Sequence, residues 1–168
     1  MAKQSLDPIA HKLVSRLEQD GRLSFAALGE SIGLSKTPCW NRVQELQQSG
    51  VIQGYSANLD PKALGLSIRA LVHVVVNFEH YQAFERAILA HPAVRSCHAV
   101  TGNFDYVLEI LDSDIDAFDQ LLRANLSRLP GVQRFNTAIS TRMVKSDGPY
   151  CLMLESGRAD PNPGQNTR

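Results

Sequence analysis

The chain has 168 residues, 43% of them hydrophobic, and 17 Lys plus Arg balance 17 Asp plus Glu. That length suits one large domain or two small ones, and zero net charge excludes a sequence-blind nucleic-acid binder, which is usually basic. Cys39, Cys97 and Cys151 are too few and too scattered for a disulfide framework or a zinc site.

The first ~60 residues read as helices. Asp7-Pro8 is a cap with Pro in the first helical position, and Ile9, Leu13 and Leu17 recur at helical spacing until Asp20-Gly21. Ser24 caps a second helix with Phe25, Leu28 and Ile32 facing inward, and Gly33 stops it. Thr37-Pro38 is read as the start of a third helix, with Cys39, Val43 and Leu46 on one face and a C-cap at Ser49-Gly50. Val51–Leu59 reads as a short extended segment, a wing-like hairpin or a linker strand, against which Trp40 is expected to pack. A stretch at 61–65 links this half to the next.

From Leu66 the period changes. Leu66, Ile68, Ala70, Val72, Val74, Val76 and Phe78 alternate with more polar residues, which predicts a half-buried strand. Its other face, with Leu71 and Val75, calls for a partner. Tyr81, Phe84 and Ile88 return to helical spacing. Val94–Thr101 and Phe104–Asp112 read as strands joined by a two-residue hairpin at Gly102-Asn103. Ile115, Phe118, Leu122, Leu126 and Leu129 mark a helix closed by Pro130-Gly131, and Val132–Lys145 is a last long strand. The class is α+β: helix-turn-helix over 1–60, linker 61–65, and a ferredoxin-like βαββαβ domain over 66–145. From Ser146 the periodicity is lost, and 146–168 reads as a tail that is partly disordered.

The start, MAKQSLDPIAHK, has no apolar core of a signal peptide. The longest apolar run, Ala70–Val76, is far too short to span a bilayer and is broken by His73. A soluble, cytoplasmic protein with reduced thiols is expected. No Gly-rich phosphate loop, HExxH or GxSxG occurs, and Cys97 and His98, adjacent on a strand, point to opposite faces. Neither an enzyme nor a metal or cofactor is indicated.

The helix-turn-helix points to double-stranded DNA, because its second helix normally enters the major groove. Ser35, Lys36, Thr37 and Pro38 project at the start of that helix, and Asn41, Arg42, Gln44, Glu45 and Gln48 lie wholly or partly on its open face. Arg suits guanine O6 and N7, Asn or Gln suits adenine, and Lys and Thr hold phosphates. No acidic residue lies between Glu30 and Glu45. Residues 1–60 nevertheless carry Lys3, Lys12, Arg16, Arg22, Lys36 and Arg42 against Asp7, Glu18, Asp20, Glu30, Glu45 and Asp60, six of each. One such module binds DNA weakly, so tight binding needs several copies acting together.

The two halves together resemble the Lrp/AsnC family of transcriptional regulators, also called feast/famine regulators. The resemblance rests on LDPIAHKLVSRLEQDGR at 6–22, GLSKTPCWNRVQELQQSGVIQGYSANLDPKALG at 33–65, CHAVTGNFDYVLEI at 97–110 and LPGVQRFNTAIS at 129–140. It implies an N-terminal DNA-binding domain and a C-terminal ligand-sensing domain. It also implies dimers formed through the sheet, further assembly, often to octamers, and a small-molecule effector, usually an amino acid, bound where dimers meet. Lys36 stands where proline is common in the family, Gly29 where a larger residue is usual, and Asn103 where Asp is frequent. Carried over to this chain, the effector site comprises Thr101, Gly102, Asn103 and Asp105 with Leu129, Val132, Thr137 and Ile139. Backbone N–H groups at Gly102 and Asn103 suit a carboxylate, Asp105 an ammonium group, and the four apolar or small residues the effector side chain. The alternative is an amino-acid-binding oligomer whose helical domain contacts protein rather than DNA.

Overall fold

The computed structural model describes residues 6–156, which form two compact units. One takes the described residues of Met1–Ala57 and Lys145–Arg168, the other Asn58–Val144.

The first unit begins with α1 (Pro8–Gln19), α2 (Phe25–Ile32) and α3 (Lys36–Gln48). The Asp7 carboxylate accepts the Ala10 N–H at 2.7 Å, and Ser24 Oγ accepts the Ala27 N–H at 3.2 Å, so both expected N-caps form. Gly33 ends α2 in the left-handed region at φ 79, and the Leu34 N–H returns to the Gly29 carbonyl at 2.8 Å. Gly29 is itself buried. A Cβ there would lie 2.6 Å from the Leu34 carbonyl oxygen, so glycine lets the turn close onto α2. The core joins Ala10, Leu13, Leu28, Cys39, Val43 and Leu46, with Leu17, Phe25, Ile32 and Ile52 packed around it. Each fully buried Leu or Val there contributes about 1.5–3 kcal/mol of transfer free energy.

Three expectations in this half are corrected. α3 begins at Lys36 with Ser35, not the expected Thr37, in the N-cap position, and Pro38 sits inside the first turn. The first four N–H groups of a helix have no intrahelical partner, so Pro38 removes nothing the helix uses. Ile9 points outward, and Ala10 takes the buried place. Residues 51–59 form no strand. Ile52 is anchored by its N–H to the Leu46 carbonyl and its side chain in the core, but without a wing Trp40 is left 46% exposed.

Residues 61–65, read as a linker, coil into hydrogen-bonded turns, the Leu66 N–H reaching the Pro61 carbonyl at 2.8 Å. The second unit is one antiparallel sheet in the order β2-β3-β1-β4. Its strands are β1 (Ile68–Val76), β2 (Val94–Ala99), β3 (Tyr106–Asp112) and β4 (Val132–Ile139), with α4 (Tyr81–Leu89) and α5 (Ile115–Ala124) between them. Alternation along β1 holds over Ile68–Val76, but the strand is shorter than the expected 66–78: Leu66 precedes it, and Phe78 lies beyond it in a helical turn, 85% exposed. Ala70, Val72, Val74 and Val76 are buried with Leu108 and Ile110 beneath Phe84, Ile88 and Phe118 from the two helices. Leu71, His73 and Val75 turn to the face that no helix of this unit covers.

Here too the structure corrects the sequence. β2 and β3 are not joined by two residues: their ladder ends where the Val100 N–H meets the Asp105 carbonyl at 2.9 Å, leaving Thr101–Phe104 as a longer turn. β4 stops at Ile139, well short of Lys145. The supposed tail contains a helix, α6 (Tyr150–Ser156), that belongs to the first unit and packs on α1. The rest of that tail, 157–168, lies outside the described residues.

Candidate functional site

Two sets of side chains carry the functional expectations, one in each unit. On α3, the buried stripe Cys39, Val43 and Leu46 fixes which residues face out. At about 100° per residue, Thr37, Asn41, Gln44 and Gln48 lie opposite that stripe. Ser35, Lys36, Thr37, Pro38 and Asn41 are exposed, and Gln44 is half-buried. Among the described residues no side chain caps the N-terminus of α3, so there its first-turn N–H groups face water or a phosphate beside the Lys36 ammonium.

Arg42 is placed differently from its sequence reading. It lies on the flank of the helix, with its guanidinium 3.3 Å from the Asp7 carboxylate and 3.4 Å from that of Glu45. Asp7 thus caps α1 and faces α3 at once. The Ala10 N–H, and after it the Arg42 charge, hold its carboxyl below the usual range. The cation expected to reach a base edge thus pairs with carboxylates on α3 and at the start of α1, with its side chain 43% exposed.

In the second unit the turn Thr101–Phe104 is exposed apart from the half-buried Phe104. Gly102 has φ 121, a conformation that disfavours any side chain, although there is open space where one would go. Asp105 is tied into the sheet: its N–H donates to the Val74 carbonyl at 2.9 Å, and its Oδ2 accepts the Val76 N–H at 2.9 Å. That bond falls where the β1–β4 register shifts, between Val75 and Val76. One carboxylate oxygen therefore serves the irregular ladder instead of being wholly available to an ammonium group.

The eight residues expected to form the effector site are not all brought together. Thr137 pairs with Val72 and Ile139 with Ala70, which puts both on the helix-covered side of the sheet. Leu129 and Val132 pack against the core there. The Thr137 hydroxyl is buried and has no hydrogen-bond partner among the described residues. The turn associates instead with residues on the uncovered face. The Phe104 ring lies 5.1 Å from the His73 ring, and the Arg134 guanidinium stands over Phe104 at 5.6 Å and donates to the Asn103 carbonyl at 3.4 Å. Sequence reasoning missed Arg134, His73 and Phe104 as a group. The signal was alternation on β4, where Arg134, Asn136 and Ala138 share a face opposite Phe135, Thr137 and Ile139. Cys97 and His98 do point to opposite sides, opposite Leu108 and Val107 respectively. Burial and then the Glu85 charge push the Cys97 thiol up, which disfavours the thiolate. Among the described residues no cluster of His, Cys, Asp or Glu could hold a metal ion, and no helix is long and apolar enough to cross a membrane.

A helical unit presenting a polar recognition helix, with a βαββαβ unit that carries a structured turn, defines a two-part DNA-binding regulator. The comparisons agree. A winged helix-turn-helix DNA-binding domain matches residues 6–53, and the Lrp/AsnC ligand binding domain matches residues 69–150. The leucine-responsive regulatory proteins of Salmonella typhimurium and Escherichia coli are 37% identical over 145 residues, 84% of this chain and 88% of theirs. A transcriptional regulator from Neisseria meningitidis, solved with L-Met, superposes with a TM-score of 0.83 at 28% identity, covering 86% of this chain and 96% of that one. A feast or famine regulatory protein from M. tuberculosis, complexed with L-methionine, gives 0.78 at 33% identity, covering 85% and 97%. The chain belongs to the Lrp/AsnC family of transcriptional regulators.

Proposed function

We propose that this regulator binds specific double-stranded DNA sequences as a homo-oligomer and that an amino acid bound where dimers meet sets its affinity. Thr37, Asn41 and Gln44 read base edges; Lys36, with Ser35 and Pro38 at the helix start, holds phosphate. Arg42 positions α3 against α1. The uncovered sheet face, with Leu71 and Val75, pairs two copies, and dimers assemble further, up to an octamer. The work takes place in the cytoplasm.

The observation that carries the effector half is the Arg134 guanidinium held over Phe104 beside the Thr101–Phe104 turn. An amino acid needs a cation or N–H groups for its carboxylate and an acceptor for its ammonium. Arg134 and the N–H groups of Gly102 and Asn103 supply the first, and Thr101 and the second oxygen of Asp105 the other. Leu129 and Val132 pack in the helix-covered core at the end of β4 that meets Asp105 through Val76, and they hold that end of the sheet in place. Thr137 and Ile139 face the helix side and support the sheet. The L-methionine bound by two of the similar regulators makes a mid-sized apolar amino acid the first probe.

The test combines a thermal-shift screen of the twenty amino acids with titration of duplexes selected from a random pool. A stabilising amino acid that also shifts duplex affinity supports the reading. Absence of any selected duplex favours a protein-contacting helical domain, and absence of any stabilising amino acid removes the effector.

A further inference from the structure

α6 follows a tight corner, Asp147-Gly148-Pro149, in which Asp147 adopts φ 44, a left-handed conformation that Asp tolerates better than most residues. The first amide N–H groups of a helix lack partners within it. In α6 two of them go to one carboxylate: the Tyr150 N–H donates to Glu18 Oε1 at 2.6 Å and the Cys151 N–H to Glu18 Oε2 at 3.1 Å. Cys151 is 2% exposed. Burial first, and then the Glu18 charge, push its thiol up to about 11, so it packs as a small neutral group. One turn further along α6, Glu155 Oε1 lies 3.9 Å from His11 Nδ1. Residues 11 and 18 are two helical turns apart on one side of α1, so α6 runs antiparallel along that side.

This docking changes how the units are connected. β4 ends at Ile139 in the second unit, and α6 belongs to the first. The DNA-binding unit is therefore joined to the ligand-binding unit twice, once before β1 and once after β4. We propose that α6 is a strap: docked on α1 through Glu18, it narrows the placements open to the DNA-binding unit and so strengthens binding to duplexes that several units engage at once. This rests on the reading above that several copies share one duplex. Effective concentration between linked sites depends on the length and stiffness of the tether, and order present before binding is not lost on binding. A single unit on a single site has no relative placement to satisfy, so its affinity does not depend on the strap.

The experiment uses the full chain, wild type and the variants Glu18→Ala and Cys151→Asp, with two duplexes selected from a random pool by the wild type. One is long enough for several units, and the other carries a single site. Hydrogen exchange at residues 150 and 151 reads the docking, and light scattering reads the assembly. Both variants are expected to exchange faster there, keep the wild-type mass, bind the short duplex within about twofold, and bind the long duplex on the order of tenfold more weakly. Unchanged affinity for the long duplex with the helix released overturns the strap. So does equal weakening on both duplexes, which means damage to the reading unit, and so does unchanged protection in Glu18→Ala. A wild type that selects no duplex fails the DNA-binding reading itself, whereas failure of the strap alone leaves wild-type selection intact.

Discussion

The guanidinium of Arg42 has two carboxylates within 3.4 Å, and both it and Asp7 are partly solvated. Pairs of this kind contribute roughly 0.2–1 kcal/mol, less in salt. Arg42→Ala should therefore cost up to about 1 kcal/mol of stability and weaken binding to all duplexes alike. Asn41→Ala should instead cost roughly 1–3 kcal/mol at one base position, and Lys36→Ala should flatten the salt dependence by about one unit without changing preference. Competition titrations against single-base variants separate the three, and relaxed specificity in Arg42→Ala would return that residue to the base-reading set. Asp7 adds a pH dependence. Its folded pKa is depressed, first by the Ala10 N–H and then by Arg42. Its contribution is thus present above the unfolded value of about 3.9 and is lost as pH falls through the lower folded value. Urea midpoints measured from about pH 5 downward should fall less steeply in Asp7→Ala than in the wild type. Parallel curves would show that the cap does not sense protonation.

At the scale of elements, the α2–α3 turn and the β1 face make separate demands. A Cβ at Gly29 would press on the Leu34 carbonyl, a backbone atom that cannot rotate away. Gly29→Ala should destabilise by about 1–3 kcal/mol despite the better helix propensity of Ala. A melting temperature equal to wild type would show that the turn relaxes freely. On β1, Leu71 is 40% exposed on the uncovered face. The double variant Leu71→Asn, Val75→Asn should fold but run at a lower mass in light scattering, and an unchanged mass would place the dimer contact elsewhere. What the sequence revealed follows the range of the interactions. Caps at Asp7 and Ser24, the stop at Gly33 and the alternation of β1 are set within a few residues, and they were legible. The start of α3 was not, because Ser35 and Thr37 are both good caps and Pro38 is harmless anywhere in the first turn. The Thr101–Phe104 turn ends at Asp105, whose carboxylate accepts the Val76 N–H of another strand, a contact between residues 29 apart. The Arg134–Phe104 contact likewise forms only when β4 lies beside β1. α6 was hidden because it is seven residues long and its cap, Glu18, is 132 residues from Tyr150.

For the whole molecule, the balance of charge in the DNA-binding unit, residues 1–57 and 145–168, is the controlling fact. Nine cations against eight anions give one such unit little net attraction for a duplex, and Arg42 is already paired. In the proposed reading, affinity comes from units that bind together, each adding its own few phosphate contacts. The salt dependence measures their number, because the slope of log affinity against log salt is about −0.9 per phosphate neutralised. A unit making roughly three such contacts gives a slope near −3, and two units on one duplex about twice that. The intact protein on a long selected duplex should accordingly show a slope at least about twice that of Leu71→Asn, Val75→Asn on the same duplex. The substitutions change no charge and lie in the sheet, so a difference in slope reports how many units engage. Equal slopes, with the variant confirmed at lower mass, would mean that one unit supplies all the phosphate contacts and that assembly serves the effector rather than the DNA.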